Sequence, residues 1–275
     1  MKYGTRTDIG KIREINEDAY IANGTIFAVA DGMGGHNAGE IASSLALKTL
    51  AKNIFLEKEL KKNLFSSIKK ANKAVYLESL SSPKKRGMGT TLTVFVPKND
   101  KAYIGHIGDS RIYLLRNLEL MQSTEDHSLV AQMIKEGRLT TKEARFHPLR
   151  NVITRALGDK TIVQPDVSTL TIKPGDKILL ATDGLTSMLT DAEIQKILIQ
   201  NLEPQNLCDL LIEEANKKGG FDNITVVLAE FDKDDFTPPN SSSVKEQKSL
   251  KKVPFLLGAF FVVLVLVFFY TILRK

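Results

Sequence analysis

Acidic residues recur in this chain where apolar runs start or stop. "FAVADG" ends on Asp31 and Gly32, "YIGHIGDS" on Asp109 and "ILLATDG" on Asp183 and Gly184. "FDNITVVL" places Asp222 just ahead of its run, and "REINEDAYIAN" places Glu17 and Asp18 ahead of another. A single Asp-Gly after a strand is ordinary turn chemistry, because Asp bonds its own backbone and Gly accepts a positive φ. The repetition exceeds what turns require. If these strand ends meet, the carboxylates repel and raise one another's pKa, and cations relieve both effects. Oxygen donors with no Cys and little His select hard ions such as Mg²⁺ or Mn²⁺, and Gly32 would let a backbone carbonyl join the ligands. Two such ions can polarise a phosphoryl oxygen and generate a hydroxide between them at neutral pH. The substrate still needs a cationic receptor, and Arg13, four residues before Glu17, can offer a planar fork to a phosphate dianion. Taken alone, the same residue also reads as a solvated surface arginine.

Strands and helices must bring these residues together. Ala38, Ile41, Ala42, Leu45 and Ala46 follow the spacing of a core-facing helix, and "EKELKKNLFSSIKKANKAVYLESL" continues as a second one up to the break at Ser81-Ser82-Pro83. "TTLTVFVP" alternates at Leu92, Val94 and Val96 and is followed, after Lys98-Asn99-Asp100, by "KAYIGHIG", so the two read as a hairpin. Further strands are expected at "RIYLLR", "KILLATD" and "NITVVLAEF", with helical patterns near 191–201 and 204–217. Antiparallel sheets covered by paired helices, an α+β layering, fit this order.

With 43% apolar and 25% charged residues, most of the 275-residue chain has the composition of one soluble domain. The net charge of +6 would suit nucleic acid, but the last 31 residues carry six cations against Glu246 alone, leaving residues 1–244 at +1. Nucleic-acid binding is therefore not expected. The polar start has no apolar core of a secretory signal, and the single Cys208 cannot form an intramolecular disulfide. Residues 253–273 carry no charge and are long enough to span a bilayer as a helix, with more lysine on the near flank than beyond. The expectation is a single-pass anchor holding a cytoplasmic domain, joined by a flexible Pro-, Ser- and Lys-rich linker over 232–252.

Eight ordered stretches together resemble one family. They are "REINED" at Arg13–Asp18, "ADGMGGHNAGE" at Ala30–Glu40, "GMGTTL" at Gly87–Leu92, "GHIGDSRIYLL" at Gly105–Leu115, "TEDHSLV" at Thr124–Val130, "HPLRNVITRALG" at His147–Gly158, "LLATDGL" at Leu179–Leu185 and "DNITVV" at Asp222–Val227. They look like the metal-dependent protein phosphatases of type 2C in their bacterial branch, from about residue 3 to 231. The resemblance implies a four-layer α-β-β-α sandwich of two antiparallel sheets flanked by helices, with a catalytic domain over 1–231. It implies a dinuclear Mn²⁺ or Mg²⁺ centre in which Asp31 bridges both ions, the Gly32 carbonyl binds one, Asp183 and Asp222 bind the other, and Glu17 and Asp18 lie near or act through water. Asp109 matches the acid that, with Asp183, holds a third, weaker ion. Arg13 matches the phosphate-binding arginine, and the segment 126–159 matches a mobile flap beside the site. In many eukaryotic members a histidine directly after Asp-Gly is the proposed general acid; here that place holds Met33. His36, three residues on, matches the bacterial pattern and is either the proton donor or a polar residue opening the next helix.

The implied activity is hydrolysis of phosphoserine and phosphothreonine on proteins by a metal-bridged hydroxide, close to a membrane. Phosphoproteins, among them a Ser/Thr kinase, are the expected partners. The alternative is a catalytically silent member of the fold that binds or senses, which loss of ligand acids would signal; every expected acid is present. Rival chemistries lack their residues. Cys208 has no arginine a few positions on and sits on a helical pattern, and no GxxxxGK[ST] loop or nucleophile elbow occurs. His106 reads as structural on a strand, and His127 and His147 fall in the flap.

Overall fold

The computed structural model describes residues 1–34, 38–53 and 59–236. In chain order these form β1 (Lys2–Asp8), β2 (Ala19–Ala22), β3 (Phe27–Ala30), β4 (Gly32–Met33), α1 (Gly39–Asn53), α2 (Leu60–Ser79), β5 (Gly89–Thr90), β6 (Leu92–Lys98), β7 (Lys101–Ile107), β8 (Arg111–Arg116) and β9 (Glu119–Gln122). Then come α3 (Leu129–Lys135), α4 (Thr141–Ala144), β10 (Asp166–Thr171), β11 (Lys177–Ala181), α5 (Asp183–Thr186), α6 (Asp191–Leu198), α7 (Pro204–Lys217) and β12 (Ile224–Glu230). The strands assemble into two five-stranded antiparallel sheets, ordered β1-β12-β11-β8-β9 and β10-β7-β6-β3-β2, with β4 and β5 as a small separate pair. The expected α+β sandwich is what forms.

Period-two alternation explains why both sheets are covered on both faces. Phe27, Val29, Phe95, Ile104, Ile112, Leu114, Ile178, Leu180 and Val227 fill the space between the sheets. Their neighbours Ala28, Ala30, Val94 and Val96 turn outward against α1 and α2, while Tyr113, Leu115, Leu179, Val226 and Leu228 turn against α6 and α7. Residues 92–96 are consequently buried throughout, although the expected alternation named only Leu92, Val94 and Val96. Each buried Phe of the central layer contributes about 2–3 kcal/mol. Cys208 is a core residue of α7, where burial pushes its thiol up to about 12.

Local signals set the element ends. The β6–β7 hairpin closes with Lys98 opposite Lys101, and Asn99 takes the left-handed conformation that Asn tolerates. Thr140 and Thr190 open α4 and α6 through reciprocal capping boxes with Glu143 and Glu193. Pro204 stands in the first turn of α7, which ends before Gly219 and Gly220 at positive φ.

The antiparallel registers have a consequence for the acids. Ala19 opposes Ala30, Leu92 opposes Ile107, and Ala181 opposes both Arg111 and Val226. The end of β3, the start of β2, the end of β7, the start of β8, the end of β11 and the start of β12 therefore share one edge of the sandwich, and the Gly108-Asp109-Ser110 turn carries the chain from one sheet to the other there.

The folded domain runs past the expected boundary at 231. Residues Lys233–Phe236 form a 3-10 turn, Phe236 packs on Phe231, and Asp235 pairs with the N-terminal ammonium. An apolar ring and an ion pair hold what composition alone read as the start of the linker. Among the described residues no helix is long and apolar enough to cross a membrane. The expected span at 253–273, the remainder of the linker from 237 and His36 lie outside the described residues.

Candidate metal and phosphate site

Asp31 leaves β3 into a network of threonines. Its N–H donates to Thr91 Oγ1 at 2.9 Å, and its carbonyl accepts from Thr91 N and Thr90 Oγ1, each at 2.9 Å. This holds the backbone while the carboxyl faces other acids. Burial first, then Asp18, Asp183, Asp109 and Asp222, push the Asp31 carboxyl well above the usual carboxylate range. Asp183, the first residue of α5, lies within hydrogen-bond reach of Asp31, and burial and Asp222 raise it to about 6.

Asp18 is raised to about 7 by burial, with Asp183 and Asp222 adding to the effect and hydrogen bonds from Thr225 and Thr182 opposing it. Thr182 Oγ1 donates to Asp18 Oδ2 at 2.9 Å and itself accepts from Thr225 N, so the residue before Asp183 clamps β2 to β12. Asp109 is 7% exposed, and burial and Asp183 raise it well above its ordinary value. Asp18 Oδ1 and Asp109 Oδ1 are buried without any hydrogen-bond partner.

Glu17 is fixed at the start of α1. Its Oε1 accepts from Gly39 N at 3.1 Å, its carbonyl accepts from Ser43 Oγ at 2.7 Å, and its own N–H donates to Asn223 Oδ1 at 2.8 Å. Burial raises its pKa. Gly32 is required here for close packing: a Cβ would lie 2.3 Å from the Gly39 carbonyl oxygen and 2.4 Å from that of Glu17. Arg13 is half-exposed, and its Nη2 donates to Asp222 Oδ2 at 2.8 Å, which aims the guanidinium at the acidic edge.

The structure thus brings Arg13, Glu17, Asp18, Asp31, Gly32, Asp109, Asp183 and Asp222 to one end of the sandwich. Among the described residues, no group of three or more His, Cys, Asp or Glu side chains is already gathered in metal-holding geometry. Fit to a cation rests instead on the donors themselves. They are hard oxygen ligands, two of their buried oxygens have no partner, and desolvation and mutual repulsion penalise their charged forms. A bound divalent cation relieves all three costs.

Sequence reasoning passed over the groups that position these acids. Asn223 ties the 9–17 segment to β12 by donating to the Ile9 and Ile15 carbonyls at 3.0 and 2.9 Å, besides accepting from Glu17 N. Thr91, Thr182 and Thr225 do comparable work. The signal for Asn223, Thr182 and Thr225 was adjacency to the acids in "ATDG" and "DNIT", which is weak because Thr and Asn also suit turns, and Thr91 in "GMGTTL" has no neighbouring acid. Arg111 was also passed over. Its guanidinium makes a fork to Asp126 with contacts of 2.7, 3.0 and 3.0 Å, locking the start of the 126–159 segment to β8. His106 is structural: it is buried in β7 between Thr93 Oγ1 and the Glu125 carbonyl. His127 is buried against Gly108 N and Asp166, and half-exposed His147 caps Leu149 N.

An α-β-β-α sandwich whose end gathers buried carboxylates beside an arginine suits hard divalent cations and an anionic substrate. Known proteins share this arrangement. The protein phosphatase 2C family profile matches residues 14–224, so the chain belongs to that family and is a protein phosphatase by class. It is 38% identical over 245 residues to the protein phosphatase PhpP of Streptococcus pneumoniae serotype 2, covering 86% of this chain and 99% of that protein. It is 39% identical over 242 residues to the serine/threonine phosphatase stp of Listeria monocytogenes serotype 4b, covering 82% and 94%. The crystal structure of the Mycobacterium tuberculosis serine/threonine phosphatase PstP superposes with a TM-score of 0.80 at 39% identity, over 84% of this chain and 98% of that one. A second structure, the PstP catalytic domain in complex with two manganese ions, gives 0.78 at 38% identity, over 83% and 97%.

Proposed function

We propose that this chain is a metal-dependent protein phosphatase that removes phosphate from serine and threonine, anchored to a membrane through 253–273. The observation that carries the reading is the buried acidic edge with its unpartnered Asp18 and Asp109 oxygens, beside Arg13. Relatives named as serine/threonine phosphatases, and one crystallised with two manganese ions, support it.

Asp31, the Gly32 carbonyl, Asp183 and Asp222 would hold two Mn²⁺ or Mg²⁺ ions, with Glu17 and Asp18 close by or acting through water and Asp109 with Asp183 serving a third. Bound there, the ions supply charge neutralisation, acidification of a water and polarisation of phosphoryl oxygens. Arg13, already oriented by Asp222, exchanges part of that pairing for the phosphate dianion, where its fork stabilises negative charge. Thr91 fixes the Asp31 backbone and Thr182 holds the Asp18 carboxylate as the charge distribution changes. His36, or a water in its place, would deliver the proton to the departing alkoxide oxygen. The chain outside the sandwich concentrates the domain near bilayer substrates such as a Ser/Thr kinase without adding a contact.

The test is phosphate release from a phosphothreonine peptide with Mn²⁺, with EDTA, and with Asp31→Ala. Release that needs both the ion and Asp31 is expected, with a loss of at least about 100-fold in the variant. Undiminished turnover by Asp31→Ala would sink the reading. A folded protein that binds Mn²⁺ yet releases no phosphate would favour the silent binding module.

A further inference from the structure

Beside Asp109 and Asp183 a cavity of about 530 Å³ opens between the 126–159 segment and helices α5 and α6. Val130, Ile134 and Ala144 give it apolar walls, and Lys142, Arg145 and Arg150 line it as cations. Its charges are unevenly answered. Every ion pair among the described residues that touches this cavity is made by Arg111, to Asp126 at 2.7 Å and to Asp191 at 3.9 Å. Asp109 and Asp183 belong to the candidate metal centre. Lys142, Arg145 and Arg150 have no carboxylate partner among the described residues; Lys142 and Arg150 are exposed, and Arg145 donates to the Ser187 carbonyl at 3.3 Å. The cavity is therefore lined both by acids of the candidate metal centre, where cations are needed, and by unpaired cations, which attract anions.

We infer that this cavity is a specificity subsite for an anionic group carried by the same peptide as the phosphoresidue, either a carboxylate or a second phosphate. The inference rests on the phosphatase reading above. A cavity of this volume is about 8 Å across, which two or three extended residues cover, so the anion sits that far along the chain from the residue being dephosphorylated. Unpaired cations attract it by charge, and the apolar walls accept the intervening side chains. A lone phosphate monoester carries no second anion for these cations.

The experiment uses the whole chain with Mn²⁺ and measures kcat/KM on matched phosphothreonine peptides. One series has neutral flanks; the others place Glu or a second phosphothreonine two or three residues to either side. The acidic peptides are expected to be favoured by about threefold to tenfold on one side, mainly through KM, with the advantage shrinking as salt rises. Lys142→Glu and Arg150→Glu should bring the ratio of acidic to neutral peptide to one or below it. Glu and phosphothreonine arms distinguish the two anion sources. Equal kcat/KM for all peptides in the unmodified protein would overturn the subsite, as would a preference that both charge reversals leave intact. Failure of the phosphatase reading looks different: no metal-dependent release from any substrate, p-nitrophenyl phosphate included.

Discussion

Asp31 shows how a side chain proposed to hold the metal can be unfavourable for the bare fold. It is surrounded by Asp18, Asp183, Asp109 and Asp222, which together with burial oppose its ionisation. Asp31→Asn removes one member of the repulsion, so the EDTA-treated variant should melt about 2–4 °C above the unmodified protein, near 1 kcal/mol for a domain of this size. Excess Mn²⁺ should then raise the melting temperature of the unmodified protein and not that of the variant, a gain of about 3 kcal/mol at a hundredfold excess over the dissociation constant. Differential scanning calorimetry reads both. His106 makes a second prediction. Burial, and then the His127 ring tilted 4.8 Å away, lower its pKa to about 4, while Asp126, the Glu125 carbonyl and Asp166 pull the other way. The unfolded chain, near 6.5, binds the proton that the fold refuses, so the stability held by the neutral ring is complete above pH 6.5 and is lost as pH falls toward 4. Between pH 7 and 5 this amounts to about 2 kcal/mol. Urea unfolding at both values should show that contribution vanish in His106→Gln, and an unchanged difference would contradict the assignment.

Elements carry the next layer of positioning. The helices on the outer faces hold the sheets by apolar packing, but the site depends on short polar ties between strands: Thr182 between β2 and β12, Asn223 between the 9–17 segment and β12, and the Arg111 fork between β8 and the 126–159 segment. Arg111 and Asp126 are mostly buried, so the pair is expected to matter more than a surface bridge. Arg111→Lys keeps the charge and loses the fork, which should cost about 2 kcal/mol. Hydrogen exchange should quicken over 126–159 more than over the sheets; uniform acceleration would mean that the fork supports the whole fold and not this segment. The helices and hairpins were legible because their signals are periodic and local, as in α2 and the β6–β7 pair. β10 was not, since "DVSTLT" is mostly exposed and becomes a strand only by pairing with β7 at the sheet edge.

For the whole molecule, the folded unit ends only after Phe236 has packed on Phe231, so a catalytic fragment should include it. Residues 1–237 are expected to hydrolyse a soluble phosphopeptide as fast as the whole chain, within about twofold, because the proposed anchor would add effective concentration only for membrane-bound substrates. Co-sedimentation with lipid vesicles should retain the whole chain and release the fragment. A fragment that still sediments would place the membrane affinity in the domain itself.

Which residues are candidates for chemistry was readable from the chain alone, because acids at the ends of apolar runs have few structural reasons to recur and because strand and helix periods are written in neighbouring residues. Tertiary structure decided the rest. The antiparallel registers brought ends as far apart in sequence as Ala19 and Ile224 to one edge, and only then did Asp18 and Asp109 acquire buried, unpartnered oxygens. The same registers made Gly32 a matter of contact with Gly39 and Glu17 and not of turn geometry. The tertiary fold also sets Lys142, Arg145 and Arg150 around a cavity that Asp109 lines too. Desolvation and mutual repulsion depend on distances across the sandwich, and no local stretch of sequence contains those distances.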